Sequence, residues 1–496
     1  MSKIKIKENK NFSKKKIIGM VHGVFDVIHI GHIKYFEEAK NNCDYLIASV
    51  THNKFVRNKS PDKPIFNHNE RISVLRSLRF FDQVILSEDE TAVKNIKKFK
   101  PNLYFKGLDY KNIKDTSGNL NKEIKEVKKN KGSIYFTTTK LYSSSKIINN
   151  KFEYISQSTK EYLKSKNLNR IKNKISKIKN IKKNILVYGE PIIDGYEYVK
   201  PSGKSNKATI ISTIKHFSKN YGGGVILVSN LLNDYIKNTN LLYLSNKNNF
   251  YLIKKYLDTK VKRIPIKSNI KIIKKTRFID NYSSTKLFQV TDNETLLLDK
   301  IDKNKLKNFL LKNISKFDYF FVFDYGYNHI FNELLPIFKK NKKKLIVNCQ
   351  SNSYNFGFNR AEKYLNTEIL GLDEPEFRLL LNEKTQDIKQ LILKNKKRFK
   401  NINTLIITTG KNGCHIFSKE KYHFVPSIIK NMKDTTGCGD VFLTIFGILY
   451  ISKLFNVEEI GIISHIAAGV HGSFLGNNKN IDLIKLIQIT KNILNV

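Results

Sequence analysis

Cysteine is scarce in this chain of 496 residues. The four present, Cys43, Cys349, Cys414 and Cys438, lie far apart and never form a CxxC pair. That spacing excludes a disulfide framework and a thiolate zinc site, and it fits a reduced intracellular protein. Long apolar runs are also missing, since none approaches the ~18 residues that cross a bilayer. The basic opening MSKIKIKENKNFSKKK lacks the apolar core of a secretion signal. A soluble, cytoplasmic protein is expected. Acidic residues are outnumbered, with 43 Asp and Glu against 89 Lys and Arg, a net charge of +46. Clustered, such charge would point to nucleic acid, because basic side chains release counterions when they meet phosphates. Here lysine is spread through nearly every segment alongside Ile and Asn, so a nucleic-acid partner is not expected, while an attraction for small anions is. A P-loop is absent as well: SGKS at Ser202 to Ser205 would need glycine at 198, where Tyr198 stands.

What is present is material for more than one core. With 40% hydrophobic and 11% aromatic residues, the chain is globular and long enough for at least two domains. After a basic tail (residues 1–16), residues 17–150 alternate short apolar runs, KIIGMVHGVF, YLIASV, QVILSE, LYFKG and SIYFTT, with polar helical segments, the pattern of βαβ units around a parallel sheet. Residues 151–182 carry Ile171, Ile175 and Ile178 at helical spacing and predict a basic helical linker. A second α/β module, residues 183–496, opens at NILVYGEPIIDGY, continues through YFFVFDYG, KLIVNC and TLIITTG, and closes in helices beyond Asp434. Its Tyr-, Asn- and Thr-rich stretch from about 240 to 300 predicts a small strand-rich lid.

Chemistry concentrates first in HGVFDVIHIGH, residues 22–32, where a strand ends and a helix begins. Helix N-termini there offer free N–H groups and a positive dipole end to phosphate oxygens. His29 and His32, three apart, share one helical face, and Gly31 leaves room between them. A bound anion would favour their charged forms. This string, followed in order by NERI (Asn69 to Ile72), KGLDY (Lys106 to Tyr110) and YSSSKII (Tyr142 to Ile148), resembles the cytidylyltransferase-like nucleotidyltransferases. The resemblance implies a nucleoside triphosphate, ATP or CTP, over His29 and His32, attacked at its α-phosphate by a sugar or polyol phosphate. It also implies catalytic roles for His29, His32 and Lys106, and nucleotide or phosphate contacts from Gly23, Phe25, Asp26, Gly31, Lys59, Arg71, Asp109, Ser143, Ser144 and Ser145. Lys63 is a further candidate clamp. HIGH also occurs in class I aminoacyl-tRNA synthetases, but no KMSKS-type loop or anticodon-reading domain is apparent.

The second concentration is KDTTGCGDVFLTIFG, residues 433–447. Glycines before a helix let successive N–H groups face one anion, and a carboxylate beside them can take a proton from an attacking hydroxyl. The string resembles the DTTGAGD motif of the ribokinase-like sugar kinases. That resemblance implies Asp440 as catalytic base, an anion hole at Thr436, Gly437, Cys438 and Gly439, and an ATP contribution from Thr408, Gly410 and Gly413 in TTGKNG. It further implies sugar contacts from Asp194, Gly222 and Gly223, and an indirect magnesium role for Asp373 and Glu376. Ile226 stands where the family has a sugar-reading Asn, and losing such a group at a polar site costs discrimination.

Together the two modules resemble the bifunctional heptose 7-phosphate kinase and heptose 1-phosphate adenylyltransferase, with the domain order reversed. The implied architecture is α/β with two doubly wound domains, an N-terminal Rossmann-like nucleotidyltransferase and a C-terminal ribokinase-like fold with a small β lid. Sugar phosphate and nucleoside triphosphate are the implied partners, with Mg2+ and ATP, and a homodimer is compatible with the reading. The alternatives are a nucleotidyltransferase whose kinase-like module only binds or regulates, motivated by Ile226, and a nucleic-acid-binding protein.

Overall fold

Five short apolar runs in the first part of the chain become the strands β1 (Ile18–Gly23), β2 (Tyr45–Thr51), β3 (Gln83–Ser87), β4 (Leu103–Lys106) and β5 (Ser133–Phe136). They form one parallel sheet in the order β3-β2-β1-β4-β5. This computed structural model describes residues 16–57, 64–107, 119–138, 155–204, 211–292, 298–352, 355–429, 432–477 and 481–495. The chain divides into two compact units between Phe152 and Glu153. In the first, helices α1 (Ile30–Asn41), α2 (His68–Arg76) and α3 (Asn119–Lys129) connect the strands. Phe36, Leu75 and Phe105 pack on one side of the sheet, and Met20, Ile96 and Val127 on the other. The order reverses between β1 and β4, so their carboxyl ends frame a crevice of the kind that takes ligands.

The segment 151–182 is not a single linker helix. Its described part forms α4 (Gln157–Lys164) and α5 (Leu168–Ile175), and Ile155, Leu163, Ile171, Ile175 and Ile178 are buried in the core of the second unit. The apolar spacing is helical as read, but the stripe is covered, so these helices are part of that unit.

The second unit is built on a nine-stranded sheet. Its strands are β6 (Ile181–Gly189), β9 (Ile236–Ser245), β10 (Lys262–Lys267), β13 (Tyr319–Asp324), β14 (Leu345–Cys349), β15 (Ile369–Asp373), β16 (Thr404–Thr408), β17 (Cys414–Ser418) and β18 (Lys421–Val425). The order is β10-β9-β6-β13-β14-β15-β16-β17-β18. Pairing is parallel as far as β16 and antiparallel beyond. The nearly unbroken apolar runs of β13 and β14 match strands covered on both faces. Helices α6 (Val225–Asn233), α7 (Glu374–Leu381), α8 (Cys438–Ser452) and α9 (Val457–Gly472) flank the sheet.

A separate four-stranded sheet forms the lid. It combines β7 (Pro191–Lys204), β8 (Ile211–Gly224), β11 (Ile273–Asp280) and β12 (Lys286–Asp292) in the order β12-β11-β7-β8. The lid expected from residues 240 to 300 therefore takes only two strands from that stretch. The other two come from 191 to 224, where β8 is almost wholly exposed and polar and so lacks the alternation that marks a strand in sequence.

Candidate active sites

In the first unit His29 caps α1, its Nδ1 accepting the N–H of Gly31 at 3.1 Å. The His29 and His32 rings lie 4.0 Å apart. Burial lowers both imidazoles, and with the neighbouring His29 adding to it His32 falls to about 4. A nearby anion would push both imidazoles back toward their charged forms. Gly23 ends β1 and Lys106 ends β4, on either side of the sheet reversal. Lys106 is paired at 2.9 Å with Glu123 of α3, both less than one-tenth exposed. Glu123 also accepts the Tyr104 hydroxyl and the Ala92 N–H, each at 2.9 Å. Phe25 takes φ 50°, costly for a bulky residue, and lies edge-on to Phe36.

Two residues expected at the phosphates have other duties. Arg71, 1% exposed, donates to the carbonyls of Val24, Phe66 and Thr51 and to Asn53 Oδ1. Asp26 accepts the N–H groups of Ile65 and Phe66 at 2.8 and 2.9 Å. A guanidinium is attractive for phosphate because of its forked donors, but here four of its five N–H groups go to three backbone carbonyls and Asn53. Arg71 and Asp26 thus brace the loop between β1 and α1 against the segment entering α2. Lys59, Lys63, Asp109, Ser143, Ser144 and Ser145 lie outside the described residues.

In the second unit a cavity of about 590 Å3 opens between the lid and the carboxyl ends of the large sheet. Asp194 and Arg277 of the lid line it together with Thr408, Gly410 and Gly413 and with Gly437, Cys438, Gly439 and Asp440. Gly437 has φ 76° and precedes the first residue of α8. A Cβ there would meet Asn477 Oδ1 at 2.9 Å and His471 Nε2 at 3.1 Å, so glycine is required both by conformation and by space. The Cys438 thiol turns away, within donating distance of the Asp434 and Ala468 carbonyls.

Asp440, in the first turn of α8, accepts Gln350 Nε2 at 2.9 Å and Asn348 Nδ2 at 3.2 Å on one oxygen. Burial, with the charge of Asp194 adding to it, pushes its carboxyl up to about 7. That value suits a group that must take up a proton near neutrality. Asp194, on β7, is held by Arg277 at 2.7 Å and by Asn477 at 3.1 Å. A Cβ on Gly223 would fall 2.0 Å from its Oδ2, which explains glycine in the adjoining strand. Gly222 is next to it, and its carbonyl accepts the same Asn477 amide at 3.1 Å.

Ile226 is fully buried in α6 and is not a wall of the cavity. The amide at this end comes instead from Asn477. Sequence reading missed Asn477, Lys275, Arg277, Asn348 and Gln350, which no short motif joins. Lys275 is the most suggestive of these, because burial lowers its ammonium while Asp194 partly restores it.

Asp373 and Glu376 line the cavity but are spent on the start of α7. Asp373 Oδ1 accepts the Glu376 N–H at 2.8 Å, and Glu376 accepts the N–H groups of Asp373 and Ser351 at 2.6 and 2.9 Å. Burial, reinforced by Asp373, raises Glu376 to about 8. Among the described residues no group of three or more His, Cys, Asp or Glu side chains could hold a metal. No described helix is long and apolar enough to cross a membrane.

Residues 20–150 match the cytidylyltransferase-like family, and residues 182–446 match the pfkB family of carbohydrate kinases. Among similar proteins, the bifunctional protein HldE of Aliarcobacter butzleri is 37% identical over 137 residues, 27% of this chain and 29% of that one. HldE of Nitratiruptor is 36% identical over 111 residues, 22% and 24% of the two chains. These matches span less than a third of either relative. Among solved structures, Escherichia coli phosphofructokinase-2 in complex with potassium gives a TM-score of 0.49 at 12% identity, covering 62% of this chain and 98% of that one. Thermotoga maritima ribokinase gives 0.46 at 16%, covering 62% and 99%. Most of the residues that line the cavity at the start of α8 fall within the longer family match, which takes in a little over half of the residues, and the chain belongs to the pfkB family of carbohydrate kinases, with a cytidylyltransferase-like module ahead of that domain.

Proposed function

We propose a bifunctional sugar-activating enzyme. The second unit phosphorylates a sugar or sugar phosphate with ATP, and the first transfers a nucleotidyl group from ATP or CTP to a sugar 1-phosphate with release of pyrophosphate. Nucleotide-activated heptose or a related precursor of surface polysaccharide is the product class that the similarity to HldE favours.

The observation that carries the kinase half is Asp440, a buried carboxylate near pH 7 between the glycine-lined start of α8 and Asp194. Asp440 takes the proton from the attacking hydroxyl. The N–H groups after Gly437 receive the developing negative charge, and Asp194 orients the sugar. Most of the acceleration then comes from orientation and fixed charge, as is usual for phosphoryl transfer. Magnesium would supply charge neutralisation between the phosphates, with Asp373 and Glu376 meeting it through water. In the transferase half, His29 and His32 bind the triphosphate at the start of α1, and Lys106 offers its cation at the end of β4.

The test is mass spectrometry of products from a panel of sugar phosphates with each triphosphate. The full chain is compared with Asp440→Asn and with His29→Asn/His32→Asn. Asp440→Asn should lose phosphorylation by about 10²–10⁴-fold and keep nucleotidyl transfer, while the histidine variant should do the reverse. A chain that makes neither product with any pair overturns the proposal. If Asp440→Asn consumes ATP as the parent does, the assigned base is wrong.

A further inference from the structure

Lys286 opens β12 and reaches from the lid to the loop ahead of α8. Its Nζ lies 2.5 Å from Asp434 Oδ1 and 3.0 Å from Thr436 Oγ1. The Asp434 side chain is only 1% exposed, against 35% for Lys286. The same carboxylate takes the Thr436 N–H at 2.9 Å, the Tyr196 hydroxyl at 2.7 Å and the Gly476 N–H at 3.0 Å. One buried group therefore ties two lid strands, β7 and β12, to the turn that holds Thr436 and Gly437 and to the segment after α9.

A carboxylate so buried is costly unless a cation and hydrogen bonds compensate it. Burial pushes the Asp434 carboxyl up, but Lys286, Tyr196 and the two backbone N–H groups outweigh that and hold it far below the usual carboxylate range. The compensating cation is supplied by the lid, although the residue it compensates belongs to the loop that shapes the anion hole.

We propose that Lys286 is a positioning residue, a built-in cation that makes the seating of lid strand β12 and the ordering of Thr436 and Gly437 a single event. The inference rests on the kinase reading for its catalytic consequence, but not for its structural one. Without the ammonium, Asp434 is left as an uncompensated charge, and both the lid edge and the turn loosen together. A small amine with N–H donors can refill the gap, whereas a cation without donors cannot.

The experiment uses the full chain as Lys286→Ala, and as Lys286→Met to keep the length of the side chain. Backbone amide exchange is followed at residues 286–292 and 434–437. Both variants should exchange about tenfold faster or more in both segments. Ethylammonium chloride should restore the Lys286→Ala protein in both segments, and tetramethylammonium chloride at equal concentration should not. Phosphoryl transfer by Lys286→Ala should drop at least about tenfold in kcat and be rescued by the same amine. Unchanged exchange in either segment overturns the inference, as does equal restoration by tetramethylammonium. If the parent chain phosphorylates no sugar, the kinase reading fails while amide exchange still decides the role of Lys286.

Discussion

Asp440 can accept a proton only when ionised, and burial places that ionisation near pH 7. Phosphorylation should therefore rise with pH through about 7 and level off above it. Removing a donor to the charged form, as in Gln350→Leu, should move the rise upward by about one pH unit, measured from kcat/KM profiles. Glu123 shows the opposite sign. Burial pushes its carboxyl up, but Lys106 more than offsets that and leaves it below 4.5, its ordinary value. Its stabilisation is present at neutral pH and lost as pH falls through the folded value. Glu123→Gln should cost about 3 kcal/mol at pH 7, because the buried Lys106 ammonium loses its partner. It should also flatten the acid limb of stability, followed by urea denaturation at several pH values. Arg71 separates bracing from binding. Arg71→Ala leaves three carbonyls without their donor and should lower stability by roughly 3 kcal/mol, whereas His29→Asn should cut nucleotidyl transfer with little change in melting temperature. The resemblance of NERI to the nucleotidyltransferase motif implies a phosphate contact for Arg71. Only the fold shows that most of its donors already hold protein acceptors.

Elements were legible where their burial is one-sided or complete. The parallel strands β1 to β5 and β13, β14 and β16 announce themselves as apolar runs, and the start of α8 as a glycine string. The lid was legible only in part, since β7 and β8 pair mainly with each other and leave one strand almost wholly exposed. Its cavity-lining residues, Lys275 and Arg277, alternate on β11 within a sequence of ordinary polar character, and their placement depends on parallel pairing with β7, which sets Lys275 beside Asp194. Asn477 comes from yet another part of the chain, and no local signal links it to Asp194. Helices α4 and α5 illustrate the converse, in which a correct periodicity carries no information about which surface covers it. Ile171 and Ile175 are at most 1% exposed, so Ile171→Ala and Ile175→Ala should each cost about 2–5 kcal/mol. The loss should appear in thermal unfolding of the second unit.

At the scale of the whole molecule, the net charge of +46 is less informative than where each core ends. The first unit has its own apolar clusters on both faces of its sheet, and the second unit has two more around the nine-stranded sheet. Each buries its own apolar surface, which is the condition for folding alone. The boundary matters, however. The pfkB match begins at residue 182, while the core of the second unit already draws on Ile155, Leu163, Ile171, Ile175 and Ile178. A fragment starting at 153 should therefore fold and phosphorylate sugar like the full chain. One starting at 183 exposes the apolar surface that those five residues cover and should be insoluble or molten, because five missing core side chains at roughly 1.5–3 kcal/mol each match the whole stability of a typical domain. Near-ultraviolet circular dichroism and gel filtration of the two fragments distinguish the outcomes. Equal stability would show that the two helices only decorate a complete domain, and a fragment from 153 that fails to fold would place the true boundary nearer the N-terminus.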